Sequence, residues 1–267
     1  FFNCKELDVV LFSDDSKLQT IGKNSFAYTK KNSINIPSSV TTICESAFFN
    51  CIELRDLSFQ PDSKLQIIEK NSFSDCCSIN NITIPTSVKE ICEKAFYNCN
   101  QLTTVLFPND SQLIIIKKKA FSDTIINEIQ IPSNVKQICK KAFNNCLRLQ
   151  KFTFANDSKL QIIGSNFLIT NRINSIIIPS SVINLQEKWY FGLHGLKSIK
   201  VMPNNSKYCS LYDKILLEKS DPSVNIYNSV IYSVGKPGKI EIPNYINIID
   251  KYSFIDCHYI FISFQTN

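Results

Sequence analysis

Residues 36–59 read Ile36-Pro37-Ser38-Ser39-Val40-Thr41-Thr42-Ile43-Cys44-Glu45-Ser46-Ala47-Phe48-Phe49-Asn50-Cys51-Ile52-Glu53-Leu54-Arg55-Asp56-Leu57-Ser58-Phe59. The next stretch repeats the frame with a different opening: Asp62-Ser63-x-Leu65-x2-Ile68-x4-Phe73-x2-Cys76-x2-Ile79-x2-Ile82-x-Ile84-Pro85. The shared Ile-x4-Phe element recurs at Ile21/Phe26, Ile43/Phe48, Ile68/Phe73, Ile91/Phe96, Ile116/Phe121, Ile138/Phe143 and Ile249/Phe254. It is one residue short at Ile163/Phe167 and carries Tyr at Leu185/Tyr190. Neighbouring aromatics lie 22 to 25 residues apart as far as Tyr190, and the two openings alternate every 46 to 48 residues. A unit this short cannot bury a core alone; it marks a solenoid, in which each coil covers its apolar face by stacking on the next.

Each unit has three parts. Leu-x2-Leu-x-Phe alternates apolar and polar residues, as a half-buried strand does. Proline directly after the strand, at Pro37, Pro85, Pro132, Pro179 and Pro243, cannot donate to a ladder and starts a turn. Ala-Phe-x2-Cys is too short for a stable helix and reads as a turn or a single helical turn. The fold expected is a β-dominated repeat solenoid with a period of 22–25 residues and a parallel sheet.

These motifs resemble the BspA-type leucine-rich repeats, whose pattern is I-P-x-S-V-x2-I-x3-A-F-x2-C-x2-L-x2-I-x-I. The match runs from Phe1 to about Val201 and resumes from Ile240. The resemblance implies a right-handed, curved leucine-rich-repeat solenoid and a place among surface-exposed proteins that adhere to host matrix or cells. The chain departs from the pattern in its few glycines, in Tyr190, and in a long insertion after Val201.

Chemistry-bearing residues follow the repeat. Cys4, Cys51, Cys76, Cys99, Cys146 and Cys257 fall three residues after the anchor aromatic, where other units carry Thr29, Thr124, Thr170 or Leu193. A slot shared by Cys, Thr and Leu is for packing. Cys44, Cys92 and Cys139 occupy a second slot, shared with Glu69 and Lys117, which reads as exposed. His194 and His258 sit in no metal-spaced motif, so neither zinc nor any other cofactor is expected. No nucleophile elbow, phosphate loop or H-E-x2-H occurs, and acidic residues such as Glu45 and Glu93 recur with the repeat, so no catalytic residue is assigned. An enzyme of the parallel β-helix kind is the class alternative, opposed by the periodicity of nearly every notable position. The net charge of +6 comes mostly from Lys, in clusters such as Lys117-Lys118-Lys119, Lys140-Lys141 and Lys30-Lys31. They read as solvated turns, and without interleaved aromatics they do not suggest nucleic-acid binding.

Two surfaces are candidates for a partner. Outward strand positions include Arg55, Asn80, Thr103, Asn127 and Lys151 and are mostly amide or hydroxyl, with no aromatic. The insertion, at about 202–241, carries Tyr208, Tyr212, Tyr227 and Tyr232. Its apolar runs 215–217 and 230–234 flank Ser220-Asp221-Pro222-Ser223 and read as a β-hairpin or a pair of longer strands growing out of the solenoid. Its tyrosines either meet a partner or cover the hairpin's own core. On the first reading, trimming the insertion leaves the repeats folded and removes binding.

The reading is a single domain over residues 1–267, a fragment of a longer chain because Phe1 falls inside a repeat, and a non-catalytic binding protein. The expected partner is a protein, matrix or host-cell ligand, with nucleic acid excluded and membrane contact only through an anchor outside this stretch. Cell-surface or extracellular placement is expected, with an intracellular, cytoplasmic interaction scaffold as the alternative. Glycosylation sequons at Asn81, Asn109, Asn156 and Asn204 favour export weakly, and the unpaired cysteines oppose it.

Overall fold

The computed structural model describes residues 1–7, 10–170, 172–223, 225–235, 239–255 and 261–264. Asp8, Val9, Cys257 and His258 lie outside them. The repeats form a parallel β-solenoid whose coils have three sides.

The first side is an eight-stranded parallel ladder of two-residue strands, from Thr20–Ile21 to Asn184–Leu185. Each pairs in register with the next, Ile21 on Ile43, Ile43 on Ile68 and Ile68 on Ile91. The inward Ile of the first seven strands is buried because successive strand residues point to opposite faces, and Leu185 of the eighth is half-buried. The second side carries the longer strands Ser33–Ile36, Asp56–Phe59, Asn81–Thr83, Thr104–Leu106, Glu128–Ile131, Lys151–Phe154, Ser175–Ile178 and Ser198–Val201.

The third side contains turns; no helix occurs among the described residues. Residues there alternate between two duties. Phe48 N–H donates to Ser72 O of the next coil at 2.8 Å, whereas Ala47 N–H closes a turn on Cys44 O at 3.1 Å. Phe26, Phe73, Phe96 and Phe121 repeat the bond to the next coil at 2.8 to 2.9 Å. This alternation needs two left-handed residues per coil, at pairs such as Ser46/Asn50, Asn71/Asp75, Lys94/Asn98 and Lys119/Asp123. Asn and Asp tolerate that backbone best after Gly. The second position is accordingly Asn or Asp in five of these coils and Gly192, at φ 97°, in the Tyr190 coil, with Tyr28 the exception in the Phe26 coil.

The anchor rings stack between coils. Centroids of Phe26, Phe48, Phe73, Phe96, Phe121 and Phe143 are 5.0 to 5.4 Å apart, with planes within 7°. The residue missing before Phe167 breaks the stack. Phe152, from the strand side, enters the break edge-on and touches Phe143 at 5.4 Å and Phe167 at 5.5 Å. Here the coils approach so closely that a Cβ on Gly164 would lie 2.5 Å from the backbone of Cys139.

The insertion is part of this core. Tyr208–Leu211, Ile215–Glu218 and Ser229–Ser233 form an antiparallel meander, and the last strand pairs in parallel with Ile248–Ile249. Leu216 pairs with Tyr232 but Leu217 with Val230, so Ile231 is a bulge. The bulge reverses which face the strand presents. Tyr232 and Leu216 turn to the main core, while Val230, Ile215 and Leu217 pack with Ile240 and Ile242 in a second cluster. Tyr232 stacks on Tyr190 at 4.2 Å and continues the ring column. The meander is therefore wedged into the solenoid and does not grow out of it. Trimming it would uncover Trp189 and Tyr190, so the expectation of an undisturbed repeat core does not hold.

The packing slot holds free thiols. Cys51, Cys76, Cys99 and Cys146 are buried, and each points its Sγ at the anchor Phe carbonyl of the previous coil, at 3.0 to 3.2 Å. Thr29 and Thr124 donate to their own Phe carbonyls at 2.9 Å, which explains why Cys and Thr interchange there. Cys44, Cys92 and Cys139, expected to be exposed, are half-buried, more reachable than the first set but not open. Cys4 shares the buried slot in sequence but lies exposed at the first coil.

Phe96→Ala and Tyr232→Ala should each cost about 3 to 5 kcal/mol in chemical denaturation, the range for a buried aromatic, against under about 0.5 kcal/mol for exposed Tyr212→Ala. Equal costs at Tyr232 and Tyr212 would contradict the wedge.

Burial pushes the Cys146 thiol up to about 12 and raises Cys99 too. An unfolded thiol ionises near about 8.5. Above that pH the unfolded chain releases protons that the folded chain keeps, so this stability, complete below about 8.5, declines as pH rises through the alkaline range. Urea midpoints should fall from neutral pH to mildly alkaline pH, and fall less in the double variant Cys99→Thr, Cys146→Thr. A thiol reagent should modify Cys44, Cys92 and Cys139 first; prior labelling of the buried set, or a disulfide within it, would refute the assignment.

Candidate functional site

The long-strand side leaves every second side chain in solvent. Arg55, Asn80, Asn127 and Lys151 are exposed on it. Thr103 is half-buried and donates to Asn80 O at 3.0 Å. Lys151 faces Glu128 at 3.9 Å, both well exposed, so the pair adds little energy and leaves the face near neutral there. Arg55, Asn80, Thr103 and Asn127 each sit just before a long strand, and backbone bonds from Thr103 to Asn80 and from Asn127 to Thr103 stack three of them coil on coil.

The tyrosines of the insertion are not brought together. Tyr208 and Tyr232 are buried, and Tyr208 Oη accepts from Leu185 N–H at 3.1 Å. Neither is available to a partner. Tyr227 is half-buried and donates to Asn205 O at 2.7 Å, while Tyr212 is 57% exposed. The sequence shows tyrosines near turns but not the bulge that turns one of them inward.

The strand side is not a continuous sheet. Strands pair fully from Ser33–Ile36 to Asp56–Phe59, from Glu128–Ile131 to Lys151–Phe154, and from Ser175–Ile178 to Ser198–Val201. No ladder joins Asp56–Phe59 to Asn81–Thr83, or Lys151–Phe154 to Ser175–Ile178. Between Thr104–Leu106 and Glu128–Ile131 only Thr104 and Glu128 pair. Loosening occurs wherever a strand ending in Phe precedes a strand ending in Ile-Pro. Each loose junction lacks a donor, although a missing donor alone does not open one: Pro108 also has no N–H, and Asn81–Thr83 still pairs with Thr104–Leu106. In the tight pairs Gln60, Ala155 and Met202 donate to Ile36, Ile131 and Ile178 at 2.8 to 3.0 Å. In the loose pairs Pro85, Pro132 and Pro179 occupy that position and have no N–H. No described hydrogen bond reaches the carbonyls of Phe59, Phe107 or Phe154.

Grooves form at these openings. One of about 590 Å³ lies over Lys151–Phe154 and Ser175–Ile178, lined by Gln150, Thr153, Asn174, Ile177 and Met202 among others. A second, of about 600 Å³, lies at the equivalent opening beside Phe59 and Pro85 and includes Asp62 and Asp110. Both fall within the roughly 300–1,000 Å³ of ligand sites. The openings were legible in the Ile-Pro repeat, since proline cannot continue a central ladder.

The lysine clusters are largely occupied locally. Lys117 pairs with Glu90 at 2.7 Å and Lys118 with Glu93 at 3.1 Å. Lys94 and Lys119 lie over the Tyr97 ring. Lys31 is buried in the slot that Leu54 fills elsewhere. His194 is exposed. Among the described residues no group of three or more His, Cys, Asp or Glu is placed to hold a metal, and no helix is long and apolar enough to cross a membrane.

Comparison with known proteins agrees with this architecture. No curated protein matches the chain. Among solved structures it is similar to the pneumococcal vaccine antigen PcpA, at 23% identity and a TM-score of 0.60, covering 73% of this chain and 48% of that one. A leucine-rich repeat protein from Eubacterium ventriosum matches at 19% identity and 0.53, covering 66% and 45%. One from Bacteroides ovatus matches at 22% and 0.53, covering 98% and 72%. The chain thus spans about half the length of the first two. The family profile of the BspA type leucine-rich repeat region matches six copies over residues 19–123 and 114–217. The chain belongs to the BspA type leucine-rich repeat family.

Proposed function

We propose that the chain is a non-catalytic binding protein that recognises a matrix or host-cell partner at a cell surface through the open face of its long strands. The observation that carries this reading is the pair of grooves where proline leaves strand carbonyls without their ladder donors. Amides and hydroxyls surround them, so the face offers many modest polar contacts in place of a few aromatic hot spots. Repetition compensates, because several weak contacts on one rigid face act together. Similarity to a vaccine antigen supports surface placement. A second reading, an intracellular interaction scaffold, is favoured by the free cysteines, since oxidising compartments usually pair them.

Gln150→Arg with Ser175→Arg places two bulky cations on the face without touching the core. Adhesion to host cells or immobilised matrix should fall at least tenfold, about 1.4 kcal/mol. Lys89→Ala with Lys136→Ala, on another side of the coil, should leave it unchanged. Adhesion that survives the first pair and falls with the second would refute the assignment of the face.

A further inference from the structure

The groove over Lys151–Phe154 and Ser175–Ile178 is set apart by its chemistry. Gln150 and Asn174 face it from the two strands that do not pair. Each amide supplies both donors and an acceptor, and Thr153 adds a hydroxyl. The floor is apolar, with Ile177 48% and Met202 39% exposed. The cation in the lining is Lys151, held opposite Glu128. Phe154, whose carbonyl has lost its ladder donor to Pro179, also lines the groove.

We infer that this groove is a binding site for a neutral oligosaccharide. The inference rests on the proposed role of the strand face and names the class of ligand that face would read. A sugar ring presents hydroxyls that donate and accept at once, and a C–H face that is apolar. Side-chain amides match the hydroxyls, and the Ile177–Met202 shelf matches the C–H face. A polyanion finds a single cation in the lining, Lys151, with Glu128 3.9 Å away. A protein hot spot finds no Trp or Tyr among the lining residues and no deep apolar pocket. The equivalent opening beside Phe59 has the same missing donor but carries Asp62 and Asp110, so its ligand preference differs.

The test uses the whole chain against neutral hexose and N-acetylhexosamine oligosaccharides of two to four units, by saturation-transfer NMR and calorimetry, with a sulfated polysaccharide as comparator. At least one neutral member should bind, and Gln150→Ala with Asn174→Ala should weaken it at least tenfold, whereas Lys89→Ala should not. Binding of the sulfated polymer alone, no binding by any neutral member, or binding indifferent to the double variant would overturn the inference. Adhesion to periodate-oxidised cells separates this inference from the reading it rests on. If Gln150→Arg with Ser175→Arg abolishes adhesion but periodate does not, the face binds and the sugar inference fails. If adhesion ignores the arginines, both fail.

Discussion

Coil-on-coil stacking is the constraint from which the rest of the structure follows. No coil has a core of its own, so its inward Ile, its anchor ring and its Cys or Thr are buried only by the coils above and below. Two sets of backbone bonds fix that stacking. On the short-strand side each coil donates to the one before it, as Cys44 does to Ile21. On the turn side the direction reverses, as Phe26 donates to Ala47. The rings then meet almost face on, offset enough to keep centroids about 5 Å apart. An interruption is repaired by a ring from another element. Phe152 does so at the shortened Phe167 coil, and Tyr232 does so where the repeat gives way to the meander.

The same constraint explains where the face opens. Stacking is enforced by the core and by the turn and short-strand sides of the coil, so the long-strand side tolerates loss of bonds. Proline in every second strand removes them at regular intervals. The strand after a proline-bearing strand restores the bond through Gln60, Ala155 or Met202 in three coils, while Pro108 takes that place in the fourth, whose strands pair all the same, and the face becomes tight pairs separated by loose junctions. The sides of one coil thereby differ: the turn and short-strand sides hold the stack, and the long-strand side leaves polar groups exposed.

Much of this was legible in the residues. The Ile-x4-Phe spacing gave the coil, the alternation of Leu-x2-Leu-x-Phe gave the strands, and the shared Cys/Thr slot gave buried thiols. The turn side was less complete, because Asn50 and its equivalents signal left-handed backbone only once their neighbours' bonding is known. The meander was misjudged at Tyr208 and Tyr232. A one-residue bulge at Ile231 decides which face a strand shows, and sequence spacing alone does not locate it. The grooves were implied by proline, but their lining depends on which strands fail to pair, and that is a property of neighbouring coils together.

That the missing N–H of Pro179 opens the junction before Ser175–Ile178 is tested most directly by Pro179→Ala. The substitution restores an N–H opposite the Phe154 carbonyl. Amide hydrogen exchange should find that new N–H protected to the same degree as the Ala155 and Met202 amides, with the groove over Ser175–Ile178 closed in the variant's crystal structure. A freely exchanging amide and an unchanged gap between Lys151–Phe154 and Ser175–Ile178 would contradict it.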